Sequence, residues 1–348
     1  MKKTKLFSIP FLLLFLPFFA SAQDIHFSQL SETPLLLNPA LAGMSHDLLV
    51  TTNFKSQWKS VTSTPYNTIN VSADMAFLKK QNGSRLGVGL NMFSDKAGAG
   101  QMQTTTGQLH VAGILAVDPK NLISVGLYGG FGQTSLNYGN LIWDRQYDGM
   151  TYDASRPTYE PNTFSNHTYG DVGAGVDWFY GADHRVKSTD DALSFNAGFS
   201  VQHINKPIYS YYGEDEHLPM KFVAHGNAEI GLKKHGLILE PSYIVMLQQG
   251  AHEINAGMLV KYLFEDPATY SGPKKESAFF FGGYYRFSDA IVIATGYEYS
   301  NYRIGLSYDV NLSDLKTVSN ARGGFEISLR FIAPSFFARD APAIKSFD

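Results

Sequence analysis

Apolar and polar residues alternate with period two along most of this chain. In residues 171–180, 192–203 and 302–312, every second residue is aromatic or aliphatic. The residues between them are mostly Gly, Ser, Asn, Asp, Gln or Arg. Successive side chains of a β-strand point to opposite faces of its sheet. The pattern therefore predicts strands that have one apolar face and one small or polar face.

The same alternation predicts fourteen strands, near residues 47–56, 66–77, 84–94, 102–116, 121–133, 168–180, 191–203, 219–232, 236–247, 252–264, 276–287, 289–299, 301–312 and 322–332. Most have ten or more residues, longer than the five or six typical of soluble folds. That length matches the roughly 9–11 tilted residues that cross a bilayer. The alternative is a soluble sandwich or barrel, for which the small polar face would make a poor core.

These features favour an all-β fold, a transmembrane antiparallel β-barrel of about fourteen strands over residues 47–332. A closed barrel is the one sheet that leaves no backbone group unpaired in lipid. We expect the apolar face to contact lipid and the small polar face to line a wet lumen. The longest connection, residues 134–167, belongs with the outer loops if the chain begins in the periplasm.

The first 22 residues have the features of a cleaved signal peptide. Lys2, Lys3 and Lys5 precede an apolar run from Leu6 to Phe19, and residues 20–22 (ASA) form a small-x-small cleavage site. An N-terminal membrane anchor is the alternative, but the apolar run is shorter than the roughly 17–25 residues of a spanning helix. We expect export and a mature chain that starts at Gln23.

Residues 23–46 form an N-terminal segment that lacks strand alternation, is rich in Leu and contains Pro34 and Pro39. Such an apolar segment is expected to be extended and to bury its side chains. A fourteen-stranded barrel is wider than side-chain-filled barrels of eight strands, so it has room for a plug. We expect the segment to plug or cap the periplasmic mouth, with docking on a periplasmic partner as the alternative. Residues 333–348 are expected to be a periplasmic tail.

Composition removes several classes of function. Charged residues make up 17% of the chain and the net charge is −3, so no basic field suggests nucleic acid. The absence of cysteine excludes disulfides, thiolate metal sites and cysteine nucleophiles. No nucleotide-binding loop, nucleophile elbow or zinc-protease motif is present, so we expect no enzyme activity, no cofactor and no metal site.

Several motifs resemble the PorP/SprF family of Bacteroidota. The mature start, residues 23–29 (QDIHFSQ) and 34–43 (PLLLNPALAG), resembles the opening of that family. Further similarity lies in residues 57–58 (QW), 87–89 (GVG), 95–98 (DKAG), 239–242 (LEPS), 296–299 (GYEY), 302–305 (YRIG), 307–309 (SYD), 313–315 (SDL) and 324–327 (GFEI). The resemblance covers residues 23–332.

The resemblance implies a non-enzymatic outer-membrane barrel of the type IX secretion and gliding-motility system. It implies export or surface anchoring of a large secreted adhesin or effector that has a type B C-terminal domain. Further implied partners are a periplasmic OmpA-like peptidoglycan-binding lipoprotein and other type IX secretion components. The alternative function is a FadL-like channel for hydrophobic solutes, because such fourteen-stranded barrels also carry an N-terminal hatch.

Partner specificity must come from surfaces that lipid does not cover. The N-terminal motif and two outer loops qualify, because exposed Tyr and Trp are the usual composition of interface hot spots. The expected partner-binding residues are His26, Phe27, Gln29, Asn38, Pro39, Trp143, Tyr147, Tyr152, Tyr211, Tyr212 and Glu214.

Overall fold

The computed structural model describes residues 24–62, 64–160, 166–181, 193–209, 216–232, 236–264, 277–313 and 316–333. The expected signal peptide, Gln23 and the expected tail beyond residue 333 lie outside the described residues. So do Tyr211, Tyr212 and Glu214.

Fourteen strands lie within the described chain. They are β1 (Leu48–Gln57), β2 (Tyr66–Phe77), β3 (Arg85–Ala97), β4 (Met102–Ala116), β5 (Asn121–Ser135), β6 (His167–Tyr180), β7 (Leu193–Gln202), β8 (Lys221–Leu232), β9 (Leu237–Gln248), β10 (Ala251–Leu263), β11 (Ser277–Arg286), β12 (Ala290–Tyr299), β13 (Tyr302–Asn311) and β14 (Arg322–Ala333). Each corresponds to a strand predicted from the alternation, and the boundaries agree within three residues.

Each strand pairs antiparallel with its neighbours in sequence, and β1 pairs with β14 to close the barrel. The closing ladder runs without interruption from Leu48 opposite Ala333 to Gln57 opposite Gly324. The predicted fold class, a closed antiparallel barrel, is confirmed. The first strand begins and the last strand ends at the same end of the barrel, here called the termini end. The opposite end is called the loop end.

The alternation assigns the two faces of β7 and β13 correctly, whereas β8 to β12 also bury apolar residues such as Val223, Ile244 and Phe280 on the inside. Apolar side chains such as Phe199 and Leu306 are exposed on the outside, as expected for contact with lipid. Their polar neighbours Ser200 and Ser307 are buried on the inside. A wet lumen lined by small residues was expected, but the interior also contains large buried charged side chains, including Lys55 and Glu326. The pattern identifies the inner face but carries no information on which charges meet across the lumen.

The N-terminal segment is not extended as expected. It contains three short helical turns, Leu30–Glu32, Pro34–Leu37 and Pro39–Leu41. Pro34 and Pro39 each occupy a first helical position, where a missing N–H costs nothing and the fixed φ suits a helix. Among the described residues, no helix is long and apolar enough to cross a membrane.

The connections are unequal at the two ends. At the termini end, β12 and β13 are joined by two residues, 300–301, and β4 and β5 by four, 117–120. At the loop end, residues 136–166 separate β5 from β6 and residues 203–220 separate β7 from β8. Short periplasmic turns and longer outer loops are typical of outer-membrane barrels, so the loop end is expected to face the cell exterior.

Single cysteines test this orientation, because the native chain has none. We expect Asn140→Cys at the loop end to react with a membrane-impermeant maleimide on intact cells. Gln81→Cys at the termini end is equally exposed in the barrel but should react only after the outer membrane is permeabilised. Labelling of Gln81→Cys alone on intact cells would invert the orientation.

A second test concerns the lipid-facing surface. Leu306 lies near the middle of β13 and points outward. Leu306→Arg should lower the free energy of unfolding by about 2–4 kcal/mol if it lies near the midplane, whereas Leu306→Met should cost less than about 1.5 kcal/mol. Urea titration in lipid vesicles, read by heat-modifiable mobility, measures both. Equal stability of the two variants would show that this face does not contact lipid.

Candidate functional site: the barrel interior and its loop-end mouth

The N-terminal segment lies inside the barrel along most of its length. Asp24 lies at the loop end beside Lys221, the first residue of β8. Gly43 lies near the termini end, where its N–H donates to the Asp74 carboxylate of β2 over 2.8 Å. We expected the segment to lie at the periplasmic mouth, but only its last residues lie near the termini end.

Near the termini end, the segment approaches the wall through glycine. A Cβ on Gly87 of β3 would lie 1.8 Å from the carbonyl oxygen of Ala42, so any larger residue there would displace the segment. Gly43 itself has a φ of +62°, a conformation that favours glycine. Arg85 donates hydrogen bonds to the carbonyl oxygens of Gly43 and Met44. Hydrogen bonds to its backbone N–H and carbonyl groups therefore hold this part of the segment in place.

In the middle of the barrel, Asn38 ties the segment to the wall at β6 and β8. Its side-chain oxygen accepts from the Ala40 N–H at 2.9 Å and so caps the turn that starts at Pro39. Its amide nitrogen lies 2.9 Å from the Val176 carbonyl oxygen and 3.0 Å from His225 Nε2. Asn38 therefore fixes both the local turn and its position.

The wall facing this turn is made of glycine and short hydroxyl side chains. A Cβ on Gly126 of β5 would lie 2.4 Å from the Ala40 nitrogen, and Ser124 donates to the Ala40 carbonyl oxygen over 2.6 Å. Further along, the side chains of Ser200 and Gln202 donate to the carbonyl oxygens of Leu37 and Leu36. Small inward-facing residues thus give the segment both space and hydrogen-bond partners.

Glu32 joins the segment to a buried cluster of charges. Its carboxylate lies 3.1 Å from Arg303 Nε of β13 and 3.9 Å from Arg330 of β14. Arg303 also contacts Glu240 at 3.1 Å and Glu298, and its guanidinium lies 4.0 Å from the Phe280 ring centre. The opposite charges are close enough to compensate one another where water is largely excluded.

A second charged cluster holds the segment nearer the loop end. The backbone N–H groups of Ser28 and Gln29 donate to the two oxygens of Glu326, over 2.7 and 3.2 Å. The Ser28 hydroxyl donates to Asp309, which also accepts from Arg286 over 3.1 Å. Neighbouring contacts join His26 to Glu253 at 3.0 Å and Lys55 to the His26 carbonyl oxygen at 3.2 Å.

At the loop end, Asp24 is fixed by three barrel residues. Its carboxylate lies 2.8 Å from His203 Nε2 and 3.8 Å from Lys221 Nζ, and its N–H donates to Gln248. The pKa of the Asp24 carboxyl is lowered because Lys221 and His203 stabilise its charged form more than burial disfavours it. His203 contacts Asp171 through its other ring nitrogen, at 2.9 Å.

A cavity of about 550 Å³ lies at the loop end, between the N-terminal segment and the inner wall. Asp24, Leu35 and Leu36 line it from the segment, and residues 216–219 line it from the β7–β8 loop. Its volume is within the range of about 300–1,000 Å³ usual for ligand sites.

The long β5–β6 loop is ordered over its described residues by Gln146. This buried side chain accepts from the Trp143 N–H and the Tyr152 hydroxyl, both at 3.3 Å, and donates to the Arg156 carbonyl oxygen. The loop nevertheless exposes large apolar side chains, among them Ile142, Met150 and Tyr159 at 74%, 88% and 75% exposure. The result is a fixed aromatic and aliphatic surface outside the lipid-facing wall.

The structure divides the expected partner-binding residues into two groups. Phe27, Gln29, Asn38 and Pro39 are buried in the interior, and His26 is largely buried. Tyr147 and Tyr152 are exposed on the β5–β6 loop, and Trp143 is half-buried beside Tyr138. Sequence analysis missed the barrel residues that hold the segment, such as Arg303 and Glu326, although both are charged residues on the inner face of a predicted strand.

The family is decided by comparison with known proteins. Residues 19–331 match the family model for "Type IX secretion system membrane protein PorP/SprF". The chain belongs to the PorP/SprF family. The resemblance noted in the sequence is therefore confirmed. This PorP/SprF protein is an outer-membrane β-barrel of the type IX secretion system, a kind of membrane protein that is typically non-enzymatic.

Solved structures similar to this PorP/SprF protein are outer-membrane barrels of low sequence identity. The Ralstonia pickettii toluene transporter TbuX is 13% identical with a TM-score of 0.46, and 87% of this chain and 94% of TbuX are covered. The P. putida toluene transporter TodX is 11% identical with a TM-score of 0.41 and coverages of 86% and 94%. BamA from Haemophilus ducreyi is 10% identical with a TM-score of 0.41 and coverages of 82% and 70%. No curated protein matches the chain.

Within the described part of the PorP/SprF chain, no group of three or more His, Asp or Glu side chains is placed to hold a metal ion. The geometry of the interior instead serves to hold one segment of the chain.

Two glycines of β5 test the seating of that segment. Gly126 faces the segment, whereas Gly129 faces outward and a Cβ there would meet nothing within 4 Å. Gly126→Ala should lower the free energy of unfolding by about 1–3 kcal/mol, because the added methyl group collides with backbone. Gly129→Ala should stay within about 0.5 kcal/mol. Urea unfolding in detergent measures both, and equal stabilities would contradict the close packing at Gly126.

Proposed function

We propose that this barrel supports the export or surface anchoring of a large secreted adhesin or effector that has a type B C-terminal domain. The observation that carries the proposal is the combination of an N-terminal segment held inside the barrel with an ordered, exposed aromatic loop at one end. In this arrangement the barrel acts by binding proteins, and the gliding-motility role implied by the sequence resemblance belongs to the same proposal.

The segment inside the barrel supports a binding role over a conducting one. At its middle, the segment contacts the wall at Gly126 of β5 and Gly175 of β6 and reaches His225 of β8 through Asn38. Buried charged side chains such as Arg303 and Glu326 also line the described interior. A hydrophobic solute, the substrate of the alternative function, would have to displace the segment and pass these charges.

The loop-end surface has the chemistry of a protein interface. The β5–β6 loop presents Ile142, Tyr147, Met150, Tyr152 and Tyr159, all exposed. Aromatic residues dominate interface hot spots because they bury much area at a small cost in side-chain entropy. We propose that this loop, including Trp143, binds the secreted partner. We extend the proposal to Tyr211, Tyr212 and Glu214 of the next loop.

The buried residues of the N-terminal segment have an indirect part in this proposal. His26, Phe27, Gln29, Asn38 and Pro39 hold the segment in place, and Asp24 then forms part of the loop-end mouth. The termini end, which is expected to face the periplasm, is the side on which we propose that a periplasmic OmpA-like lipoprotein and other secretion components dock.

Three substitutions on the β5–β6 loop test this function. The triple variant Ile142→Ser, Met150→Ser and Tyr159→Ser should keep a heat-modifiable barrel in the outer membrane, because all three side chains are exposed. It should lower surface display of the secreted partner at least about tenfold, as expected for the loss of hot-spot contacts. Antibody labelling of the partner on intact cells provides the measurement.

The matched control changes exposed apolar residues in other loop-end connections. Val61 and Val318 are 37% and 62% exposed in the connections that follow β1 and β13. The double variant Val61→Ser and Val318→Ser should display the partner normally. Normal display by the loop triple variant would remove this loop from the mechanism, and an equal loss in the control would show a general defect.

A further inference from the structure

The cavity at the loop-end mouth has a polar wall with a carboxylate that has no cationic partner among the described residues. This wall comes from the inner faces of β3 and β4, where Asp95 lies directly opposite Thr104 in the strand register. The other cavity carboxylates inside the barrel are paired with cations. Asp24 contacts His203 and Lys221, and Asp171 contacts His203.

Asp95 differs from these carboxylates. Its half-buried side chain accepts one hydrogen bond, from the hydroxyl of Thr68. No Lys, Arg or His nitrogen of the described residues lies within 4.0 Å of it. A carboxylate in such a recess is stabilised by a cation, and the described chain places none there.

A second polar group in the same wall also lacks a partner. The hydroxyl oxygen of Thr106 is buried and makes no hydrogen bond to any described residue, and Thr106 lines the cavity two residues beyond Thr104. A buried hydroxyl without a partner is costly, so it is a site where a ligand can donate or accept. An ammonium or guanidinium group has several donors and could serve both Asp95 and Thr106.

The remaining lining suits the stem of a basic side chain. Phe93 and Tyr169 line the cavity from β3 and β6, and Leu36 lines it from the N-terminal segment. Lys and Arg pack their methylene stems on apolar surface and place their charges against aromatic faces or carboxylates.

The cavity is lined by the β7–β8 loop, which adjoins the end of the β5–β6 loop. His167 at the start of β6 lies 2.9 Å from the Ile208 carbonyl oxygen of the β7–β8 loop, and the β5–β6 loop begins beside the β3–β4 turn, where Asn137 donates to Gly100. An occupant held here would therefore continue onto the exposed loop surface. That continuity favours a peptide segment over a free solute.

We propose that this cavity binds a Lys or Arg side chain of an extended segment of the secreted partner, with its charged group at Asp95 and Thr106. The proposal rests on the proposed function, because it specifies how the loop-end mouth recognises that partner. The site selects for positive charge, while the aromatic loop outside it supplies apolar contact area.

The test uses the full mature barrel in detergent, with Leu218→Cys as the one cysteine. Leu218 lines the cavity, so its reaction with N-ethylmaleimide reports occupancy. The probes are acetyl-Ala-Ala-Lys-Ala-Ala-amide, the same peptide with norleucine in place of Lys, and N-acetyl-lysine amide. We expect the Lys peptide, at saturation, to slow labelling at least about fivefold, and the norleucine peptide to leave the rate unchanged.

Asp95→Asn in the same background should raise the concentration of Lys peptide needed for half protection by about tenfold, as expected for the loss of one charge-assisted hydrogen bond. Asp118→Asn, at an exposed carboxylate in a termini-end turn, is the matched control and should have no effect. Heat-modifiable mobility verifies that each variant is folded.

Equal protection by the norleucine peptide, absence of protection by any probe, or full protection of Asp95→Asn would each overturn the cavity proposal. Equal protection by N-acetyl-lysine amide would overturn its peptide part. These outcomes concern the purified barrel alone. They therefore differ from failure of the proposed function, which is read by partner display on cells that carry the loop triple variant.

Discussion

The need to satisfy buried backbone groups explains much of the interior of this protein. The wall of a closed barrel uses its own N–H and C=O groups in the ladders between strands. A segment inside it must therefore find hydrogen-bond partners among side chains. Glu326 accepts from two successive N–H groups of the segment, and Ser124, Ser200 and Gln202 donate to its carbonyl oxygens. The inner face is polar at these contacts, whereas Leu30 of the segment packs on apolar inner residues that include Val223, Ile244 and Phe280.

The same constraint applies to charge. Charged groups inside the barrel are far from bulk water, so each needs a partner close by. Arg303 has Glu240 and Glu298 from the wall, but it also contacts Glu32 from the segment, and Arg286 shares Asp309 with Ser28. The segment thus completes clusters that the wall alone leaves incomplete. The N-terminal segment is therefore a structural component of the barrel interior.

This interior has a consequence for function. Directed hydrogen bonds hold the segment inside the barrel, so the proposed function places partner recognition at the ends of the barrel. At the loop end, Asp24 belongs both to the segment and to the mouth, where it contacts His203 and Lys221. The shape of the loop-end cavity therefore depends on how the N-terminal segment is seated. In the proposed function, this dependence couples partner recognition at the loops to the seating of that segment.

The sequence by itself determined the barrel. Alternation with period two marked all fourteen strands and their lipid-facing side, because burial on one face of a strand imposes the same rule at every second residue. The motifs at both ends of the chain indicated the family. The tertiary structure alone decided the course of the N-terminal segment, since Asn38 meets Val176 and Glu32 meets Arg303 across distances in sequence that no local pattern encodes. It also decided the cavity at Asp95 and Thr106, because a carboxylate is recognised as unpaired only when the residues from every neighbouring strand and loop are in place.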